Sequence, residues 1–272
     1  MKALSPLIIA VVLTGLMSFL PGMIPYEHPK SSIMHQDTPQ PTIKITALYD
    51  NRSVDENLKT AWGFACLIQT PNDNLLFDTG GDAETLLSNM NQMGVDPKTI
   101  DKVLISHIHG DHLGGLEGFL DQNPDVTVYI PASFPGKTGE MIRSKGARCE
   151  RIAASQSIAK NMWSTGEMEG STNEQALVLE SAKGLVVITG CAHPGIAAMV
   201  KAAKDKRKAG SVHLVMGGFH RPPGEVINRF EQMGVMKVAP SHCTGGKMIR
   251  KFREVYGEDF IEWGVGKVYV IG

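Results

Sequence analysis

The side chains best equipped for chemistry crowd into one short stretch. Ser106 to Gly115 reads SHIHGDHLGG and places His107, His109, Asp111 and His112 within six positions, so three of the chain's nine histidines share a segment with a carboxylate. In an extended segment alternate side chains share a face, so His107 and His109 reach one ion together. Gly110 permits a turn that swings Asp111 and His112 towards a second position. An H-x-H-x-D-H run therefore suits two neighbouring metal ions better than one. A purely structural cluster would bury several polar rings, each costing about 1–3 kcal/mol where unpaired.

The elements that must position this segment alternate between strand and helix character. The aliphatic run before it, within Lys102–Ile105, predicts a buried strand, so the histidines stand at a strand's C-terminal end, where α/β proteins place their sites. Further strands are predicted at Ile43–Tyr49, Phe64–Gln69, Leu75–Phe77, Val126–Ile130, Gln175–Leu179, Gly184–Ile188, Val212–Met216, Lys237–Ala239 and Lys267–Ile271. Helices are predicted over Ala83–Met93, closed by Gly94, over Ile196–Lys208, and after Pro222-Pro223 and Thr244. Interleaving through two halves implies an α/β fold of sheets covered by helices. Ala132–Asn173 has the least regular pattern, and its Trp163, with Met162 and Met168, is read either as one wall of a substrate pocket or as a packed surface loop.

Composition narrows the function classes. A net charge of −1 over 272 residues gives no electrostatic reason to expect nucleic acid. The basic run Lys201 to Lys208 reads as the wet face of a helix. At the N-terminus Lys2 precedes the uncharged run Leu7–Leu20 and then Pro21-Gly22, the pattern of a secretory signal. That run is short for a bilayer span, which needs about 18 residues or more. No clean cleavage site follows it, so residues 1–22 are expected to be a signal peptide or an uncleaved anchor that attaches the protein to a membrane. Residues 23–42 form a Pro-rich linker, and 43–272 the folded domain. Export, to a periplasmic or extracellular location, is the expectation.

The histidine motif resembles that of the metallo-β-lactamase superfamily, and supporting motifs occur in the family's order over roughly residues 43–271. The resemblance implies an αββα sandwich with a one- or two-metal site between the sheet edges. LLFDTG supplies Asp78 as the strand-ending aspartate that orients the site. TGCAHPG supplies His193 as the next ligand, and APSHCTG supplies His242 as the last. Carried over, His107, His109 and His193 hold the first metal, and Asp111, His112 and His242 the second. Such donors suit zinc, one or two ions, with iron and manganese as the other fitting metals.

One departure stands out. The family commonly has an aspartate bridging both metals at the end of a strand that here reads HLVMGGFH, His213–His220, with no acid at its end. Either His220 substitutes there, or the second metal binds weakly. His213, at the strand's start, reads as structural, and Arg221 is read either as a grip for an anionic substrate or as a solvent-facing side chain. Cys191 and Cys243 flank His193 and His242, and either pair with each other or line the pocket as thiols.

GCAHPG, GGFH and SHCTG together resemble the subgroup of 7,8-dihydropterin-6-yl-methyl-4-(β-D-ribofuranosyl)aminobenzene 5′-phosphate synthase. Three readings follow. The first is a hydrolase that uses metal-activated water on a small-molecule ester, phosphoester or lactone, with Asp111 positioning the water. The second is a transferase of the pterin type, against which an export signal argues. The third is a non-catalytic, metal-stabilised binding protein. The subgroup motifs point away from β-lactamase activity itself.

Overall fold

The computed structural model describes residues 42–208 and 210–272. The segment 1–22 and all of the linker before Thr42 lie outside the described residues. Among the described residues no helix is long and apolar enough to cross a membrane. In chain order the strands and α-helices begin with β1 (Ile43–Tyr49), β2 (Ala65–Gln69), β3 (Asn74–Phe77), α1 (Ala83–Gln92) and β4 (Lys102–Leu104). Next come α2 (Gly110–Leu113), α3 (Leu116–Gln122), β5 (Thr127–Pro131), α4 (Gly136–Ser144), β6 (Arg148–Ile152), β7 (Ala154–Ala159) and β8 (Met162–Gly166). The remainder is β9 (Leu177–Ser181), β10 (Gly184–Thr189), α5 (Ile196–Arg207), β11 (Val212–Gly218), α6 (Val226–Gln232), β12 (Val235–Ser241), α7 (Gly246–Tyr256) and β13 (Val268–Ile271).

The strands form two sheets, ordered β13-β1-β2-β3-β4-β5-β6 and β12-β11-β10-β9-β8-β7. Alternation along the strands feeds two cores at once. In β2, Cys66 and Ile68 face the layer between the sheets, while Ala65 and Leu67 face outwards. The outward set is covered by α1, α3 and α4 through Leu86, Met90, Leu116, Phe119 and Ile142. On the other sheet, Val186 and Ile188 of β10 point inwards, and Leu185 and Val187 pack under α5, α6 and α7 through Met199, Phe230 and Phe252. The result is an αββα sandwich. Burying both faces explains why the inner strands read as unbroken apolar runs, each large side chain contributing about 1.5–3 kcal/mol.

Parallel pairing brings the site together. β3 pairs parallel with β4, and β10, β11 and β12 pair parallel with one another. The chain leaves these strands at Asp78, Ser106, Gly190, Phe219 and His242, so the motifs of both halves emerge at strand C-termini.

Ala132–Asn173 is a correction. The segment is largely regular, carrying α4, β6, β7 and β8. It escapes sequence reading because β6 and β7 end the two sheets and keep exposed polar side chains, as in Arg148, Glu150 and Ser157. Trp163 is no pocket wall: it packs against the outer core of the second sheet, with the Arg207 guanidinium 3.9 Å from its ring centroid. Met162 belongs to the inter-sheet core and Met168 to the outer one. His213 is buried far from the histidine motif in sequence, and its Nε2 meets the Tyr269 hydroxyl at 3.2 Å.

Candidate metal centre

Asp78 organises the first loop. It follows β3 in a left-handed conformation, φ 57°, and is fully buried. Its carboxylate accepts from the Ser106 N–H at 2.6 Å, the Ser106 hydroxyl at 2.8 Å and His112 Nδ1 at 2.7 Å. Because the Ser106 hydroxyl proton goes to Asp78, Ser106 Oγ accepts from His107 Nδ1 at 2.8 Å. Both rings are thereby fixed with their Nε2 lone pairs free.

The same logic sets the others. His242 Nδ1 donates to Asn51 Oδ1 at 3.0 Å, while Asn51 Nδ2 donates to the His242 carbonyl at 3.1 Å. His193 Nδ1 pairs with Ser171 Oγ at 3.2 Å, and His109 Nε2 with Thr172 Oγ1 at 3.3 Å. The irregular end of the 132–173 segment thus reaches the site, through Ser171 and Thr172.

Two donor sets converge. His107, His109 and His193 offer atoms within 4.8 Å of one another, as do Asp111, His112 and His242. In the second set His112 Nε2 lies 3.2 Å from His242 Nε2, and Asp111 Oδ2 lies 3.3 Å from His242 Nε2 and 3.8 Å from His112 Nε2. Ligands at about 2.0–2.1 Å around a tetrahedral ion are about 3.3–3.4 Å apart. In the first set His107 Nε2 lies 3.1 Å from His109 Nδ1, and His193 Nε2 is buried with no hydrogen-bond partner. Lone pairs facing each other, and an orphaned buried nitrogen, are the arrangement a cation resolves.

Electrostatics favour neutral rings at His107, His193 and His242 and an ionised carboxylate at Asp111. Burial and the neighbouring imidazoles hold His107 well below the ordinary histidine range, and burial with His220 and His109 takes His193 down to about 4. His242 is lowered by burial. Burial works against the Asp111 carboxylate, yet the His242 and His112 rings beside it hold it well below the usual carboxylate range. His112 runs the other way: burial opposes its charge, but Asp78 outweighs that and raises it. Neutral imidazoles and an ionised carboxylate are what metal binding requires.

Residues without a sequence signal complete the centre. Glu174, fully buried, accepts backbone N–H bonds from Gly190, Cys191 and Ala192 on Oε1 at 2.9–3.0 Å and from His193 on Oε2 at 2.8 Å. It ties down the whole turn that carries His193. Asn51 plays that part for His242, and Trp62, 59% exposed, stands with its ring centroid 4.8 Å from that of His242. Nothing local marks any of the three; each is a single polar or aromatic residue in a loop.

His220 lies beside the first donor set, its ring centroid 4.3 Å from that of His193. Ala192, His220, Arg221 and His242, like Asp78, are non-glycine residues with positive φ, so five of the seven such residues among those described lie here. Strain concentrated in this way accompanies functional sites. Next to His193 a cavity of about 370 Å³ is lined by His220, Arg221, Phe219 and Arg229. All four cysteines are free thiols, and Cys191 Sγ lies 3.3 Å from His112 Nε2.

The family model of the metallo-beta-lactamase superfamily matches residues 63–206, more than half of the chain. The protein belongs to the metallo-β-lactamase superfamily. Among curated relatives of this superfamily member is the 7,8-dihydropterin-6-methyl-4-(beta-D-ribofuranosyl)-aminobenzene-5'-phosphate synthase of Methanocaldococcus jannaschii, 26% identical over 76% of this chain and 88% of the relative. A ribonuclease Z of Streptococcus mutans is 33% identical over 30% of this chain and 28% of its own. Among solved structures, Tm1679, a metal-dependent hydrolase of the beta-lactamase superfamily, aligns with a TM-score of 0.69 at 24% identity, covering 84% of this chain and 98% of that chain.

Proposed function

We propose that this superfamily member is a metal-dependent hydrolase acting on an ester, phosphoester or lactone-type small molecule. The observation that carries the reading is the pair of donor sets, His107, His109 and His193 beside Asp111, His112 and His242, with lone pairs turned inwards. Those six residues hold one or two ions; imidazole and carboxylate donors suit zinc, and also iron or manganese. A divalent ion there lowers the pKa of a coordinated water from about 15.7 to about 7, which supplies a nucleophile at neutral pH.

The chain's own residues do the rest. Asp111, ionised and partly exposed, orients the attacking water through its carboxylate. Asp78, Ser106 and Asn51 keep three of the imidazoles in one tautomer and one orientation, and Glu174 holds the turn that carries His193. The cavity beside His193 is of a size for a small molecule, and Arg221 and Arg229 on its wall favour an anionic one. Trp62 offers an apolar face at the His242 side.

The test is turnover of a panel of chromogenic phosphodiesters, lactones and thioesters, with and without chelator. Chelator-sensitive turnover of one of them, lost with bound metal in the His107→Ala, His109→Ala double variant, is the expected result. Metal content unchanged in that variant would refute the ligand assignment.

The archaeal synthase, matched over 88% of its length, supports a second reading as a transferase that expels diphosphate, with no attack by water. Silence across the panel together with diphosphate release from a pterin donor would establish it. Export through residues 1–22, with cleavage or membrane anchoring, belongs to the hydrolase proposal, since cytosolic pterin intermediates are not met outside the cytoplasm. A cytosolic protein with its N-terminus intact on cell fractionation would remove that objection.

A further inference from the structure

Each donor set supplies three ligands, so a tetrahedral ion in either has a fourth position to fill. Two dications side by side also repel strongly in a poorly hydrated pocket, and the six donors include only one carboxylate. The nearby acids are committed: Asp78 to Ser106 and His112, Glu174 to four backbone N–H groups. The end of β11 offers no further anion, because it is Gly217-Gly218.

That strand end could not hold a side chain in any case. A Cβ built on Gly218 would lie 2.7 Å from Cys243 Sγ, 3.2 Å from Cys191 Cα and 2.3 Å from the Gly190 carbonyl oxygen. The backbone of Gly190 and Cys191 and the Cys243 thiol occupy the space.

We propose that Cys191 is a metal ligand, its thiolate shared between the two ions. Its Sγ lies 3.3 Å from His112 Nε2, close to the edge of a tetrahedron with one bond of about 2.3 Å to sulfur and one of about 2.0–2.1 Å to nitrogen. The same sulfur is within 4.8 Å of donor atoms of His107 and His193 in the first set, and of His112 and His242 in the second. Cys243, by contrast, falls within that reach of His242 and Cys191, and its Sγ is turned to the Cys191 carbonyl at 3.7 Å. Cys191 is 3% exposed, and its own N–H is anchored on Glu174, so the thiol is held between the donor sets. This rests on the reading of the two sets as metal sites.

The experiment is cobalt(II) substitution of the full protein under reducing conditions, with metal analysis and absorption spectra of wild type, Cys191→Ser, Cys191→Asp and Cys243→Ser. Wild type is expected to bind two equivalents and to show the intense near-ultraviolet sulfur-to-cobalt charge-transfer band. Both Cys191 variants should lose the band and Cys243→Ser should keep it. Cys191→Ser should bind the second equivalent at least about tenfold more weakly, while Cys191→Asp, which restores an anion, should retain two. Two bound equivalents with no charge-transfer band in wild type would overturn the thiolate ligand and leave the metal centre standing. A band that survives in Cys191→Asp and disappears in Cys243→Ser would overturn it in favour of the other thiol. Failure of wild type to bind cobalt would overturn both.

Discussion

His112 and His242, 130 positions apart in sequence, face each other through Nε2 atoms 3.2 Å apart, each having given its Nδ1 proton to a fixed acceptor, Asp78 and Asn51. With both rings neutral, neither nitrogen can donate to the other, so the contact is unfavourable until a cation sits against both. Binding that favours the folded state raises stability by about 2.7–4.1 kcal/mol at 100–1,000 times the dissociation constant. For a domain of this size that is a rise in Tm of roughly 5–15 °C. Excess chelator should therefore lower the midpoint by that much in differential scanning fluorimetry, and zinc should restore it. A midpoint indifferent to both would exclude a cation at these nitrogens.

Asp78 touches no ligand atom that faces the centre, yet it sets the tautomers of two. Asp78→Asn keeps the shape but offers an amide where His112 Nδ1 and both Ser106 donors now find oxygens at 2.6–2.8 Å. Loss of such a supporting partner commonly weakens metal binding by about 10–100-fold. Metal titration should show that loss at the set containing His112. Two equivalents bound as tightly as in wild type would show that Asp78 serves only the fold.

How much of this could be read beforehand depends on whether the signal was local. The run SHIHGDHLGG places four of the six converging donor side chains within six residues, and the strands ahead of Asp78, His107 and His193 are short aliphatic runs, so both are legible. β6, β7 and β8 were not: RCERI, ASQSIA and MWSTG have polar or small residues because β6 and β7 lie at the ends of the sheets, where one edge meets no strand. Glu174 and Asn51 were equally invisible, since each works by accepting backbone or imidazole protons from residues brought near only by the sandwich. The sequence shows that no acid follows HLVMGG, but the reason, the Gly190 carbonyl and the Cys243 thiol packed against Gly218, requires the three-dimensional neighbours.

Asp50, at the end of β1's turn towards Asn51, is fully buried; Oδ1 accepts from the Arg52 N–H at 3.2 Å and Oδ2 has no partner. Burial, only partly offset by Arg52, lifts its carboxyl from 3.8 up to about 7. The folded protein therefore keeps this proton where the unfolded chain has released it, and stability falls as pH rises from about 4 to about 7. The full difference is on the order of 4 kcal/mol. Asp50→Asn should gain on wild type across that window, by denaturant unfolding at each pH, and run parallel to it above pH 7. A constant difference from pH 4 to 8 would rule out a buried neutral carboxyl.

Glu174 fastens the turn Gly190–His193 through four N–H groups at once. Each buried donor left without an acceptor costs about 1–3 kcal/mol, so Glu174→Ala, which strands four, should be poorly folded. Glu174→Gln is the informative change. Its remaining oxygen can still accept from Gly190, Cys191 and Ala192, while its amide faces the His193 N–H, donor against donor. The expected loss is about 1–3 kcal/mol of stability, and the damage falls on His193 and not on His242, which Asn51 holds independently. Metal analysis during stepwise dialysis against chelator should then show one equivalent leaving earlier than in wild type and the other at its wild-type concentration. Simultaneous early loss of both would mean that the turn gives way as one unit, carrying Cys191 with His193 despite the N–H bond that the remaining oxygen keeps on Cys191.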